Sequence, residues 1–227
     1  MPESTLVTFE SSRGVANGYL VRADVARGAG RPGVIVLQEW WGLVPHIEDV
    51  ARRFADKGYL VLAPDLYHGK STVDAEEAHH LMEGLDWGRA AAEIAGAVGH
   101  LREKEGATSV GVAGFCMGGA LTMIAATGEG VDAYASFYGF PPAEAAAVGE
   151  IEEPGIIFFG EEEDVFSVPA AQAFAVHQRE KGREAEVVVY PGAGHAFFND
   201  TRADVYREDA AKDAWARTLD LFGRHLR

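Results

Sequence analysis

One cysteine, Cys116, stands among 227 residues, and that scarcity excludes an internal disulfide framework. It is compatible with a reducing compartment. Basic residues are also few: Lys and Arg number 20 against 35 Asp and Glu, for a net charge of −15. Phosphate backbones are held by basic faces, so nucleic acid is excluded as a partner. No apolar run approaches the roughly 20 residues that cross a bilayer. The opening stretch MPESTLVTFE has neither the basic nor the apolar region of a secretory signal. These absences point to a soluble cytoplasmic protein without a membrane partner. A phosphate-binding glycine loop ending in Lys-Ser or Lys-Thr is missing too. His79 and His80 are adjacent, and neighbours on a helix face different directions, so they and a lone cysteine form no metal-ligand set. No cofactor and no metal are expected, and nothing in the sequence sets an oligomeric state.

What is present is a regular alternation. TLVTFE and NGYLVRA are rich in β-formers, with turn residues in RGVANG between them, and read as an antiparallel start to a sheet. GVIVLQ, YLVLAP and SVGVAG are continuous apolar runs, as strands covered on both faces require. Between them Ile47, Val50, Ala51 and Phe54 mark one helix face, ending at Gly58. Ala90, Ile94, Ala97, Val98 and Leu101 mark another within residues 86–103. The remainder continues as strands in VDAYASFYG, PGIIFFG and AEVVVYPG, a helix in VPAAQAFAVHQREKG, and a last helix over about residues 203–224 burying Trp215, Leu219 and Phe222. Strands alternating with helices imply an α/β fold with a mostly parallel sheet and helices on both faces. Without repeat, low-complexity segment or linker, residues 1–227 read as one domain.

Reactive groups in such sheets collect beyond the carboxyl ends of the strands. Gly114-Phe115-Cys116-Met117-Gly118 follows an apolar strand and opens a helix. This is the G-x-nucleophile-x-G elbow with sulfur in place of oxygen. The helix beginning at Met117 aims backbone N–H groups at the sulfur, which favours thiolate. His195, in a glycine-containing loop just after a strand, is the candidate base. His68 also follows a strand but precedes Cys116, whereas in elbow hydrolases the acid and then the histidine follow the nucleophile. The acid is therefore expected in GIIFFGEEEDVFSVP. Asp164, last of the acidic run, is the choice, with Glu162 and Glu163 as rivals.

Four stretches together, QEWWG (38–42), APDLYHGK (63–70), GFCMGG (114–119) and PGAGHAFFNDTR (191–202), resemble the dienelactone hydrolase (carboxymethylenebutenolidase) family, the cysteine branch of the α/β-hydrolase fold. The resemblance implies a hydrolase of esters or lactones acting through a Cys-His-Asp triad and a thioester acyl-enzyme. It implies that Glu39 faces Cys116 and holds the thiol proton at rest. It further implies that the N–H groups of Trp40 and Met117 form an oxyanion hole. Dienelactone-cleaving members hold the substrate carboxylate with arginines, one of them four residues after the catalytic histidine. Asn199 occupies that position here, Arg202 lies three residues beyond, and Lys70 is the only cation after PDLY before Arg89. A less charged ester or lactone is the expected small-molecule substrate. Trp40, Trp41, Tyr67, Tyr138, Phe140 and Phe198 are candidates for an apolar lining, Tyr138 and Phe140 foremost, with Asn199 and Arg202 at its polar edge. A thioesterase or acyltransferase using the same triad is the alternative. A non-enzymatic thiol sensor fits less well, because a sensor often needs a resolving cysteine.

Overall fold

The apolar runs become the central strands of a computed structural model that describes residues 2–23, 30–142 and 148–227. Eight strands form one sheet: β1 (Glu3–Ser11), β2 (Gly14–Arg22), β3 (Arg31–Leu37), β4 (Leu60–Pro64), β5 (Ala107–Phe115), β6 (Ala133–Phe137), β7 (Gly155–Glu162) and β8 (Ala185–Gly194). Their order across the sheet is β1-β2-β4-β3-β5-β6-β7-β8. β1 and β2 pair antiparallel, β2 meets β4 antiparallel, and every pairing from β4 to β8 is parallel. This is the mostly parallel α/β sheet expected from the alternation, in the α/β-hydrolase architecture that the family resemblance implies.

Burial explains which runs went where. Every residue of β4 and β6 is buried, as are the last five of β3. Such strands need cover on both faces, and the helices supply it. These are α1 (Pro45–Asp56), α2 (Ala75–Glu83), α3 (Trp87–Glu103), α4 (Met117–Ala125), α5 (Val168–Glu180) and α6 (Glu208–His225). Edge strand β1 is mostly exposed; besides Leu6 its exposed residues are Glu, Ser and Thr, and charge on an edge strand discourages edge-to-edge pairing. Helix starts follow local chemistry. Asp74, Asp86 and Ser167 cap α2, α3 and α5 by accepting from Glu77, Arg89 and Ala170 N–H groups. Among the described residues no helix is long and apolar enough to cross a membrane.

Three boundaries differ from the sequence reading. The first turn is the two-residue link between the paired Ser11 and Gly14, so Val15, Ala16 and Asn17 of RGVANG lie inside β2. A separate helix, α2, precedes α3. The last helix starts at Glu208, and Trp215 and Leu219 are only partly buried while Phe222 is fully so.

Chain order places the site. β3 leads outward to β4, and the chain then returns past β3 to form β5 on its other side. The carboxyl ends of β3 and β5 therefore flank a point where the winding reverses, and a crevice opens there. At that point backbones run too close for side chains. A Cβ on Gly118 would sit 2.5 Å from the Gln38 carbonyl oxygen, and one on Gly114 would sit 2.1 Å from that of Gly118. Gly118→Ala is expected to cost about 1–3 kcal/mol through overpacking, measured as a lower midpoint in urea unfolding. An unchanged midpoint would show that β3 and α4 can separate freely.

Candidate active site

Each reactive group stands at the end of a different parallel strand. Cys116 ends β5 and caps α4 with φ 56° and ψ −118°, a region that side-chain-bearing residues rarely adopt and that costs about 1–3 kcal/mol. The turn persists because its surroundings fix it. The Cys116 N–H donates to the Phe137 carbonyl at 3.0 Å, and the Cys116 carbonyl accepts from Ala120 at 3.1 Å. The result is a cysteine, 7% exposed, on the lining of a cleft at the N-terminus of α4.

His195 follows β8. Between β7 and β8 the register slips, with Gly160 opposite Tyr190 but Glu162 opposite Gly194. A bulge of this kind bends its strand and redirects the residue after it. The His195 ring lies 5.1 Å from the Tyr138 ring and 6.0 Å from that of Phe166. Its Nδ1 is 2.9 and 3.0 Å from the two carboxylate oxygens of Glu163. With Nδ1 so engaged, Nε2 is the ring nitrogen left for Cys116, the neighbour that together with Glu163 raises the ring's affinity for a proton. Burial alone would lower the affinity of this imidazole for a proton. Hydrogen bonds to Cys116 and Glu163, together with their charges, outweigh burial and raise its pKa to about 10.

The carboxylate on His195 is thus Glu163 and not Asp164, which the sequence reading had preferred. Asp164 is exposed, and no hydrogen bond or ion pair joins it to His195 among the described residues. The Glu163 side chain is fully buried and also accepts from the Val165 and Phe166 N–H groups at 2.9 and 3.2 Å. A carboxylate withdrawn from water needs such donors.

Glu39 ends β3 at 1% exposure, but its oxygens are otherwise engaged than expected. Oε1 accepts from the Tyr138 hydroxyl at 3.0 Å and Oε2 from Asn199 Nδ2 at 2.7 Å. No hydrogen bond joins it to Cys116 among the described residues, although both line the cleft. Burial and the nearby Glu39 charge push the Tyr138 pKa well up, which keeps it a neutral donor. The N–H groups of Trp40 and Met117 find no acceptor among the described residues, and both residues border the cleft.

The cleft holds about 440 Å³. Of the expected lining, Trp40, Trp41 and Arg202 are there, while four aromatics are packed inside. Tyr138 holds Glu39, Phe198 packs on Phe115 and Phe137, and Phe140 packs on Phe174. Tyr67 turns its hydroxyl to the Met117 sulfur at 3.3 Å. Asn199 is 2% exposed and works as a holder of Glu39. The sequence reading missed the wall supplied by Met82, Leu85, Trp87 and Phe166. The one cue was their apolar character around the α2–α3 junction and the β7–α5 loop. Among the described residues no group of three His, Cys, Asp or Glu side chains could hold a metal ion.

This geometry can move a proton between a buried thiol and a fixed imidazole next to free N–H donors. If the Cys116 contact raises His195, then in Cys116→Ala the ring should lose its proton at lower pH, toward the ordinary 6.5. NMR titration of the imidazole reads this directly, and an unmoved midpoint would remove sulfur as the cause.

The chain resembles known proteins along nearly its whole length. A model of the family described as "Dienelactone hydrolase family" matches residues 17–226. A protein of Aquifex pyrophilus, "Protein usf", is 34% identical over 232 residues, covering 97% of this chain and 98% of that one. A provisionally named carboxymethylenebutenolidase of Aquifex aeolicus (strain VF5) is 31% identical over 238 residues, covering 98% and 99%. The crystal structure of a provisionally named dienelactone hydrolase of Klebsiella pneumoniae subsp. pneumoniae MGH 78578 superposes with a TM-score of 0.82 at 27% identity, covering 97% and 100%.

Proposed function

The chain belongs to the dienelactone hydrolase family and is a hydrolase of carboxylic esters and lactones, and from that premise we propose that it works through Cys116, His195 and Glu163 by way of a thioester. The observation that carries this reading is the contact chain Cys116–His195–Glu163, with the sulfur held on a strained strand-to-helix turn.

In the proposed cycle the Cys116 thiolate attacks the ester carbonyl carbon. The displaced π pair moves to the carbonyl oxygen, which accepts from the Trp40 and Met117 N–H groups. Losing one such donor typically costs about 3 kcal/mol of barrier. The intermediate collapses, the C–O bond breaks, and the leaving alkoxide takes a proton from His195 Nε2. Glu163 holds the ring so that Nε2 faces the sulfur and stabilises the imidazolium. A water then gives its proton to Nε2 and attacks the thioester carbonyl. Collapse of the second intermediate releases the acid and restores the thiolate.

Sulfur suits this task because the thiolate is a strong nucleophile near neutral pH and its thioester hydrolyses readily. It also leaves a tetrahedral intermediate more easily than an amine does, so esters are favoured over amides. The cleft favours uncharged substrates. Its walls are mostly apolar, Glu83 sits at its edge, and the charge of Arg202 is engaged with Asp204 at 2.8 Å. A free thiol nucleophile suits the reducing cytoplasm.

Turnover of p-nitrophenyl butyrate by steady-state assay tests the roles. Cys116→Ala and His195→Ala are expected to lose at least about a hundredfold in kcat/KM. Glu163→Gln should fall by about tenfold or more, because Nδ1 loses its charged partner. Asp164→Asn should stay within about twofold, as for ordinary surface substitutions. Equal losses in Glu163→Gln and Asp164→Asn would return the acid's role to open choice, and an active Cys116→Ala would end the thioester reading.

A further inference from the structure

A second hollow of about 550 Å³ lies beside the cleft and is bordered by Val44, Pro45, Thr72, Val73 and Thr201, among others. Among the described residues only two border both spaces, Trp41 and Arg202. Their contact is specific. The Arg202 guanidinium carbon lies 5.9 Å from the Trp41 ring centre, within the range of a cation–π attraction. Arg202 also pairs with Asp204 at 2.8 Å. Trp41 meets Trp40 edge-on, with ring centres 5.0 Å apart, and its carbonyl accepts from the Thr72 N–H at 3.0 Å. The next residue, Gly42, bridges to Ser71. A side-chain pair thus separates the space at Cys116 from a second space next to it, whose lining mixes the apolar Val44, Pro45 and Val73 with His46, Thr72, Asn199 and Thr201. Val73, on the lining of this second space, is 94% exposed and offers apolar surface that an alkyl chain could reach.

We propose that Trp41 and Arg202 form a partition that sets the size of substrate this enzyme accepts. This rests on the reading of the Cys116 cleft as the active site. With the pair in place, an ester arm directed toward Trp41 ends at the indole, so short aliphatic and compact aromatic esters fit best. With the pair opened, the same arm continues into the second hollow. Arg202 serves here as a wall held by Trp41 and Asp204 rather than as an anchor for a substrate carboxylate.

The test compares wild type, Trp41→Ala and Arg202→Ala. One ester series lengthens the acyl arm (p-nitrophenyl acetate to decanoate) and the other lengthens the alcohol arm (methyl to decyl acetate). Each methylene moved from water into the opened hollow is worth about fourfold. The ratio of kcat/KM for the ten-carbon member to that of the shortest should rise about tenfold or more in one series for Trp41→Ala, and in the same direction for Arg202→Ala. Ratios within twofold of wild type in both series, or falling, would overturn the partition. Because both backbone ties of the Trp41 loop survive these changes, folding should persist. If Trp41→Ala nevertheless unfolds, Arg202→Ala and Trp41→Phe decide. A readout that needs no turnover makes the same comparison, the rate of Cys116 alkylation by N-decyl iodoacetamide relative to iodoacetamide. Here too the ratio should rise in the opened variants, and a flat ratio counts against the partition. The two readings fail separately. Activity surviving in Cys116→Ala defeats the thioester mechanism, whereas a flat length profile with Cys116-dependent activity defeats only the partition.

Discussion

Backbone contact at the end of β5 is the constraint on which the rest depends. β3, β5, β6 and the first turn of α4 meet so closely that Gly118 faces the Leu37 and Gln38 carbonyls, Gly114 faces Gly118, and Gly139 faces the Cys116 carbonyl. Side chains at these places would push the layers apart. Their absence lets the chain turn from strand to helix in one residue, and that residue is Cys116 at φ 56°. The strain is borne by a sheet whose central strands are fully buried. Packing energy spread over the core holds one unfavourable dihedral in place.

The polar groups around the elbow follow from the same burial. Two carboxylates, Glu39 and Glu163, sit inside the protein, and each is provided with donors. Glu163 takes two backbone N–H groups and the His195 ring, while Glu39 takes the Tyr138 hydroxyl and the Asn199 amide. These donors are specific enough to set orientations. His195 must present Nδ1 to Glu163 and therefore its other nitrogen to sulfur. Tyr138 serves twice, since its hydroxyl holds Glu39 and its ring lies edge-on to His195. The two carboxylate systems thus share one aromatic side chain, and a change in either should be felt by the other.

Much of this was legible in the sequence, and the parts that were not share a physical cause. Continuous apolar runs can only be doubly covered strands, so β3 to β7 and the elbow at Cys116 were readable, as was His195 after β8. The hairpin turn was placed too late because Asn17-Gly18 carries turn chemistry, while pairing with β1 and β4 keeps those residues extended. Four acids in a row carry no periodicity, so which of them turns inward depends on the turn after β7 and on the bulge in β8. Both are features of strand pairing. Aromatics gave the weakest guide. Tyr67, Tyr138, Phe140 and Phe198 looked like lining and are core, whereas Met82, Leu85 and Trp87, from the α2–α3 junction, border the cleft. Nothing local in their sequence announces that placement.

In the proposed mechanism a strained thiol, a fixed imidazole, a buried carboxylate and an apolar cleft act as one hydrolytic device, and the acyl group passes through Cys116. The direct measurement is rapid acid quench of the enzyme mixed with excess p-nitrophenyl butyrate, followed by intact-mass and peptide-mapping mass spectrometry. The expected result is one butyryl adduct located on Cys116 that disappears once substrate is spent. Steady turnover with the acyl group on another residue, or with no adduct while Cys116→Ala still turns over, would contradict it.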